Sequence, residues 1–202
     1  MMVLKPGRRP GPSMTRDSIL DAARHLFGER GFDATTIRDI AALADVDPAM
    51  VHHHFGSKDK LFTAALGAPI DPREHIETVL AGPDDSMGER LLETMLAIWD
   101  SPIGTAGVAL LRTSIQHEWG AKLLREFVLM RALTPIMQHL GLPEEEARWR
   151  TGLLATQISG VILMRFVIKL DPIATAPRAN LVAAMAPNVQ RYLTGLLPVR
   201  EF

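Results

Sequence analysis

The sequence predicts an all-α protein of about nine to ten helices. Three observations carry that expectation. Apolar residues recur at three- and four-residue steps along nearly the whole chain, alternating β patterns are almost absent, and Gly and Pro cut the periodic stretches into helix-length pieces. With 202 residues and 47% hydrophobic content, the chain can bury a sizeable core as a small domain joined to a larger one. It contains no cysteine, which excludes disulfides and thiolate metal sites.

The chain begins with a basic stretch, expected as a flexible arm over 1–14. Lys5, Arg8, Arg9 and Arg16 all precede the first acidic residue, Asp17, so the formal net charge of −1 conceals a basic start. No apolar segment or cleavage site follows the arm, and a cytoplasmic protein without a signal peptide is expected. The first helix runs from about Thr15 to Arg30, with Ile19, Leu20, Ala23, Leu26 and Phe27 on one face and Gly31 as its stop. Thr36-Ile37-Arg38-Asp39 is a capping-box-like start for a second helix of about two turns, ending near Ala44. Asp47-Pro48 places a side-chain oxygen at the N-cap and a ring at the first helical position of a third helix, which Gly56 ends. Ser57 caps a fourth helix through Leu66, and Pro69-Ile70-Asp71-Pro72 marks a boundary between a unit at 15–67 and one at 68–202.

Beyond that boundary helices are expected near 73–80, 87–99, 103–117, 119–139, 144–170 and 178–195, with breaks that include Ser101-Pro102, Gly120 and Gly141-Leu142-Pro143. Pro135 is expected to kink the helix that holds it. The longest apolar stretch, Leu153 to Leu170, contains Gln157, Arg165 and Lys169, so it is expected as a buried helix and no membrane partner is expected.

The stretch from Thr36 to Phe55 carries the functional signal. Ile40, Ala41, Val46, Val51 and Phe55 have the spacing that packs one short helix across another, with Ala41 small where the crossing must be close. That is the geometry of a helix-turn-helix. Arg38, Ala49, Met50, His52 and His53 fall on the opposite face, where no core requires them.

At these residues the chain resembles the TetR family of repressors. The segment Thr35-Thr36-Ile37-Arg38-Asp39-Ile40-Ala41 is similar to that family's second helix, and Val51 to Phe62 to its recognition helix and the start of the next. The resemblance covers about Thr15 to Leu66. It implies an N-terminal three-helix DNA-binding domain with Arg8, Arg9, Thr36, Arg38, Pro48, Ala49, Met50, His52, His53, His54 and Lys58 at the DNA. Arg8 and Arg9 would enter a minor groove, Pro48, Ala49 and Met50 would meet base edges and thymine methyls, and Lys58 would sit on a phosphate at a helix N-terminus. Two departures stand out. Asp45 occupies the turn position where the family usually has glycine, and histidines at 52 and 54 replace the usual tyrosines, which makes DNA affinity more dependent on pH.

The resemblance also implies a C-terminal ligand-binding and dimerisation domain, to which Leu123-Leu124-Arg125-Glu126-Phe127 and Gln190 to Gly195 are similar. Gly152, Thr156 and Gly160 form a small-residue stripe at steps of four that admits a second helix. With Met164, Leu181, Met185 and Tyr192 they are the expected homodimer interface. Trp99, Arg112, Gln116, Trp119, Phe127 and Gln157 mix aromatic walls with a few polar handles, as a small-molecule cavity requires.

Competing functions find less support. Neighbouring histidines on a helix point about 100° apart, so His52, His53 and His54 cannot all ligate one ion, and no metal or cofactor is expected. The chain has no Gly-rich phosphate loop, no His-Glu-x-x-His, no Gly-x-Ser-x-Gly and no cysteine nucleophile, which argues against an enzyme. A ligand-free architectural DNA-binding protein remains the main alternative, although it would not need so much apolar C-terminal surface. The expected partners are double-stranded DNA, a second copy of the chain and an unidentified small-molecule effector.

Overall fold

A computed structural model describes residues 12–114, 116 and 118–197. Arg8, Arg9 and most of the expected arm lie outside the described residues. Among those described there are eleven α-helical segments and no strand. The first helix, α1 (Pro12–Arg30), begins three residues before the expected Thr15. Helices α2 (Ile37–Leu43), α3 (Pro48–Phe55) and α4 (Lys58–Leu66) follow at the expected places.

Each short helix owes its start to its cap. Thr36 Oγ1 accepts from the Asp39 amide at 3.1 Å and the Thr36 amide donates to Asp39 Oδ2 at 3.0 Å, so the capping box forms with Asp in place of Glu. These hydrogen bonds, the one from the Thr36 hydroxyl foremost, hold the Asp39 carboxyl below the usual carboxylate range. Asp47 Oδ1 accepts from the Ala49 amide at 2.7 Å, ahead of Pro48 in the first turn of α3. Between α2 and α3, Asp45 takes the left-handed conformation expected at that turn, with φ of 54°.

The first hydrophobic core joins Ile19, Ala23 and Phe27 of α1 to Ile40 and Ala41 of α2, Val51 and Phe55 of α3, and Leu61 and Phe62 of α4. Phe27, Phe32 and Phe62 interlock with ring centroids 5.1 to 5.8 Å apart.

The rest of the chain forms α5 (Ile76–Leu80), α6 (Met87–Trp99), α7 (Pro102–Ser114), α8 (Glu118–Glu126), α9 (Thr134–Leu140), α10 (Glu144–Ile162) and α11 (Arg178–Leu193). A 3₁₀ turn (Pro72–His75) leads into α5. A second core fills the space between α6, α9, α10 and α11 with Met87, Leu92, Leu96, Ile136, Leu154, Val189 and Leu193. Arg150 is buried there and serves as a C-cap for α11, donating to the carbonyls of Arg191, Tyr192 and Gly195 at 3.0 to 3.3 Å while Glu146 balances its charge at 2.7 Å.

Two long expected helices are interrupted. The stretch expected at 119–139 becomes α8, a π-helical turn (Phe127–Leu133) and α9. Pro135 lacks the amide that would bond to Arg131 and its ring crowds that carbonyl, and the wider π turn just before it relieves both. The stretch expected at 144–170 ends as a helix at Ile162 and continues as a π turn (Leu163–Val167), where Arg165 binds Asp100 and the carbonyls of Ile173 and Ala176. The break expected at Gly120 falls earlier. Gly120 lies inside α8, where a Cβ would stand 2.6 Å from the Ser114 carbonyl oxygen, so the glycine marks a close approach of α8 to the end of α7. Among the described residues no single helix is long and apolar enough to cross a membrane.

The division into two units is not clean. Leu123 and Phe127 are buried in the first core, and Trp119 is packed so closely on α1 that a Cβ at Gly28 would lie 2.7 Å from the Trp119 Cβ. Helix α8 therefore belongs to the packing of both units.

Candidate nucleic-acid interface and cavity

Helices α2 and α3 present an exposed face made of Arg38, Pro48, Ala49, Met50, His52 and His53, while Val51 and Phe55 turn inward. The expected residues of α2 and α3 are thus brought onto one surface, with two refinements. Thr36 is exposed, but its hydroxyl is committed to Asp39 and its role in the structure is that of a cap. His54 is half-buried, with its Nε2 enclosed and lacking a hydrogen-bond partner, so it faces the protein interior and is corrected from a phosphate donor to a packing residue. Its place three residues after the buried Val51 explains this, since positions three apart lie on one face of a helix.

Lys58 stands in the first turn of α4 as expected. Its Nζ lies 4.3 Å from the Phe32 ring centroid and 3.5 Å from the Asp33 carbonyl oxygen, which holds it between α4 and the α1–α2 loop. His52 pairs its Nδ1 with the Gly56 carbonyl at 3.2 Å, a contact that requires the proton on Nδ1. Its Nε2 is left on the exposed side of α3.

A cavity of about 610 Å³ opens between α5, α6, α7, α8 and α10. Trp99, Arg112 and Phe127 line it as expected. Gln116, Trp119 and Gln157 do not. Gln116 is exposed just beyond α7, Trp119 packs on α1, and the cavity side of α10 is formed by Ala155, Ile158, Ser159 and Ile162, which leaves Gln157 on another face. Much of the remaining wall was not anticipated: Ile76, Leu91, Met95 and Ile98 read in the sequence as ordinary core residues, and no local signal separates the two cases.

The expected dimer surface divides as well. Gly152 and Thr156 are exposed and Gly160 is half-exposed, and a Cβ at either glycine would meet no atom within 4 Å, so the stripe on α10 is open. Met164 is half-buried in the π turn after it. Leu181 is buried in the second core and is corrected to an intramolecular position, while Met185 and Tyr192 are half-buried against that core. The physical reason is α6, which packs along α11 and takes its large apolar side. The open side of α11 carries the smaller residues Ala183, Ala184, Pro187 and Asn188.

An ionic cluster not anticipated above joins the cavity wall to α4. Arg131, in the π turn and only 3% exposed, contacts Asp71 at 2.7 Å and Asp59 at 2.9 Å, and donates to the Asp59 carbonyl at 3.1 Å. Arg73 bridges the same two carboxylates at 2.8 and 3.2 Å. Burial raises the Asp71 pKa, but the hydrogen bonds from Arg73 and the charge of Arg131 outweigh it and hold the carboxyl below its usual range. For Arg131, burial and then the neighbouring Arg73 press its pKa downward against the two carboxylates. The signal that could have found the cluster is a lone arginine inside the apolar run Phe127–Leu133. On the same side of the molecule, the Phe32 amide donates to Glu126 Oε2 at 2.9 Å and Lys122 Nζ to the Glu29 carbonyl at 2.8 Å. Helix α8 and the π turn thus face the cavity on one side and grip the helix-turn-helix unit on the other.

Comparison with known proteins agrees with this architecture. Residues 19–65 match the family described as "Bacterial regulatory proteins, tetR family", and residues 85–193 match "Tetracyclin repressor-like, C-terminal domain". The chain is 29% identical over 160 residues to the HTH-type transcriptional repressor KstR2 of Rhodococcus jostii, covering 78% of this chain and 76% of that one. It is 37% identical over 90 residues to the HTH-type transcriptional repressor NicS of Pseudomonas putida, covering 43% and 41% of the two chains. Among solved structures, a TetR-family regulator from Streptomyces coelicolor is 38% identical, with a TM-score of 0.50 over 93% of this chain and 98% of that one. With both halves of the chain matched and the helix-turn-helix face in place, the protein belongs to the TetR family of DNA-binding transcriptional regulators.

Proposed function

We propose that the protein is an effector-controlled repressor that binds a near-palindromic operator as a homodimer and is released by a small molecule. The observation that carries this reading is that one structural element, α8 with its π turn, walls the cavity and is bound through Arg131 to the first turn of α4. A cavity ligand that shifts this wall has a direct mechanical route to the DNA-binding face. The naming of KstR2 and NicS as repressors supports the direction of control. An architectural protein has no use for a cavity of about 610 Å³, which favours the regulator.

In the dimer, the open stripe Gly152, Thr156 and Gly160 meets the small-residue side of α11 from the second copy. Such an arrangement sets two recognition helices in successive major grooves, about 34–36 Å apart. Arg38 reaches a base edge or phosphate, Pro48, Ala49 and Met50 meet bases, His52 and His53 with Lys58 hold the backbone, and Arg8 and Arg9 enter the minor groove. Arg38→Ala is expected to weaken operator binding by about tenfold in an electrophoretic shift, the loss of one good contact of ~1–3 kcal/mol. Unchanged affinity would place the DNA face elsewhere.

A further inference from the structure

The polarity of the cavity wall narrows the chemistry of the effector, an inference that rests on the effector-controlled reading above. Apolar side chains from α5, α6, α7, α8 and α10 make up nearly the whole lining. The charged groups among the lining residues are both positive, Arg112 on α7 and Arg125 on α8, and no aspartate or glutamate lines the cavity. Both arginines are exposed, which puts their guanidinium groups toward the solvent-facing side of the wall, and neither has an ion pair or hydrogen bond among the described residues. The carboxylates near this region are already engaged: Asp71 and Asp59 with Arg73 and Arg131, and Glu126 with the Phe32 amide.

We propose that the cavity binds an amphipathic carboxylate, its hydrocarbon body among Met95, Trp99, Leu110, Phe127 and Ile158 and its anionic head at Arg112 and Arg125. The volume falls in the usual range for small-molecule sites, about 300–1,000 Å³. Burial of the hydrocarbon supplies the affinity, and the two guanidinium groups supply the sign selection, since each can donate paired hydrogen bonds to a carboxylate. An organic cation of the same size would gain the same apolar contacts but would face two uncompensated positive charges with no carboxylate to receive it. A neutral alcohol would fit the apolar part and leave both guanidinium groups as they are in the empty protein. Thr94 and Ser159, also on the wall, provide hydroxyls for a second polar group along the hydrocarbon.

The test uses the full-length protein and three probes that share one chain, dodecanoate, 1-dodecanol and dodecyltrimethylammonium, kept below their micellar concentrations and titrated calorimetrically. Dodecanoate is expected to bind at least about tenfold tighter than either other probe, the equivalent of one charge-assisted contact. The double variant Arg112→Ala/Arg125→Ala is expected to lose that preference while still binding the alcohol, which shows the cavity to be intact. Equal binding of alcohol and carboxylate, or a preference that survives in the double variant, overturns the anionic assignment and leaves the effector-controlled reading standing. If none of the three probes binds, both fail.

Discussion

Replacing Arg131 with methionine is expected to lower the stability of the protein by about 3 kcal/mol and to disconnect the cavity from the DNA-binding face. Arg131 is buried and sits on two carboxylates at 2.7 and 2.9 Å, and methionine keeps the apolar stem while deleting the charge. What remains is Asp71, only partly exposed and still paired with Arg73 at 2.8 Å, so the loss falls at the lower end of what breaking a buried pair costs. The readouts are a denaturant midpoint and hydrogen exchange of the α4 amides. Loss of protection in Lys58–Leu66 is expected, together with a weaker effect of any cavity ligand on operator binding, which in allosteric proteins usually amounts to ~1–3 kcal/mol. Unaltered exchange in α4 and a stability change below about 1 kcal/mol would show that the cluster is not the link.

The same cluster fixes a pH dependence. The folded-state pKa of Asp71 is depressed, so its contribution is complete above the ordinary carboxylate range and is lost as pH falls through the depressed folded value. The link between cavity wall and α4 is therefore fully formed at neutral pH, and its loosening belongs to strongly acidic conditions.

The second large effect is expected from Gly160→Leu. No atom lies within 4 Å of a Cβ built at Gly160, so within one protomer the leucine costs little. In the proposed dimer that position faces a helix of the second copy, and a leucine there forces the helices apart along the whole stripe. The variant is expected to stay folded by circular dichroism, to sediment as a monomer, and to lose most operator affinity because only one recognition helix remains to each DNA-bound unit. A fully dimeric Gly160→Leu protein would remove the α10 stripe from the interface.

How much of this was legible in the sequence depended on how local the determining physics is. The capping box at Thr36 and Asp39, the Asp47-Pro48 start and the left-handed Asp45 are decided within four residues, and each appears where the sequence places it. The apolar stripe of α1 likewise predicted its buried face. Partner choice was not legible, because periodicity says that a face is buried and not what buries it. Leu181 looked like an intermolecular surface but packs inside the protomer in the second core, and Trp119 looked like a cavity wall but covers Gly28. His54 failed for the same reason, since one residue along a helix separates an outward from an inward side chain. The Arg131 cluster lay furthest from view: a lone arginine in an apolar run implies a partner, but Asp71 and Asp59 lie 60 and 72 positions away in the chain.

The proposed function requires that the α2–α3 face read a two-fold DNA site. Selection of tight binders from a pool of random-sequence duplexes, followed by salt titration of the winner against an unselected duplex, addresses this most directly. Near-palindromes whose half-sites are centred about one helical turn apart are expected to be enriched, bound by a dimer with affinity that falls steeply as salt rises. Equal, weak binding to selected and unselected duplexes, with no enriched sequence, would contradict it.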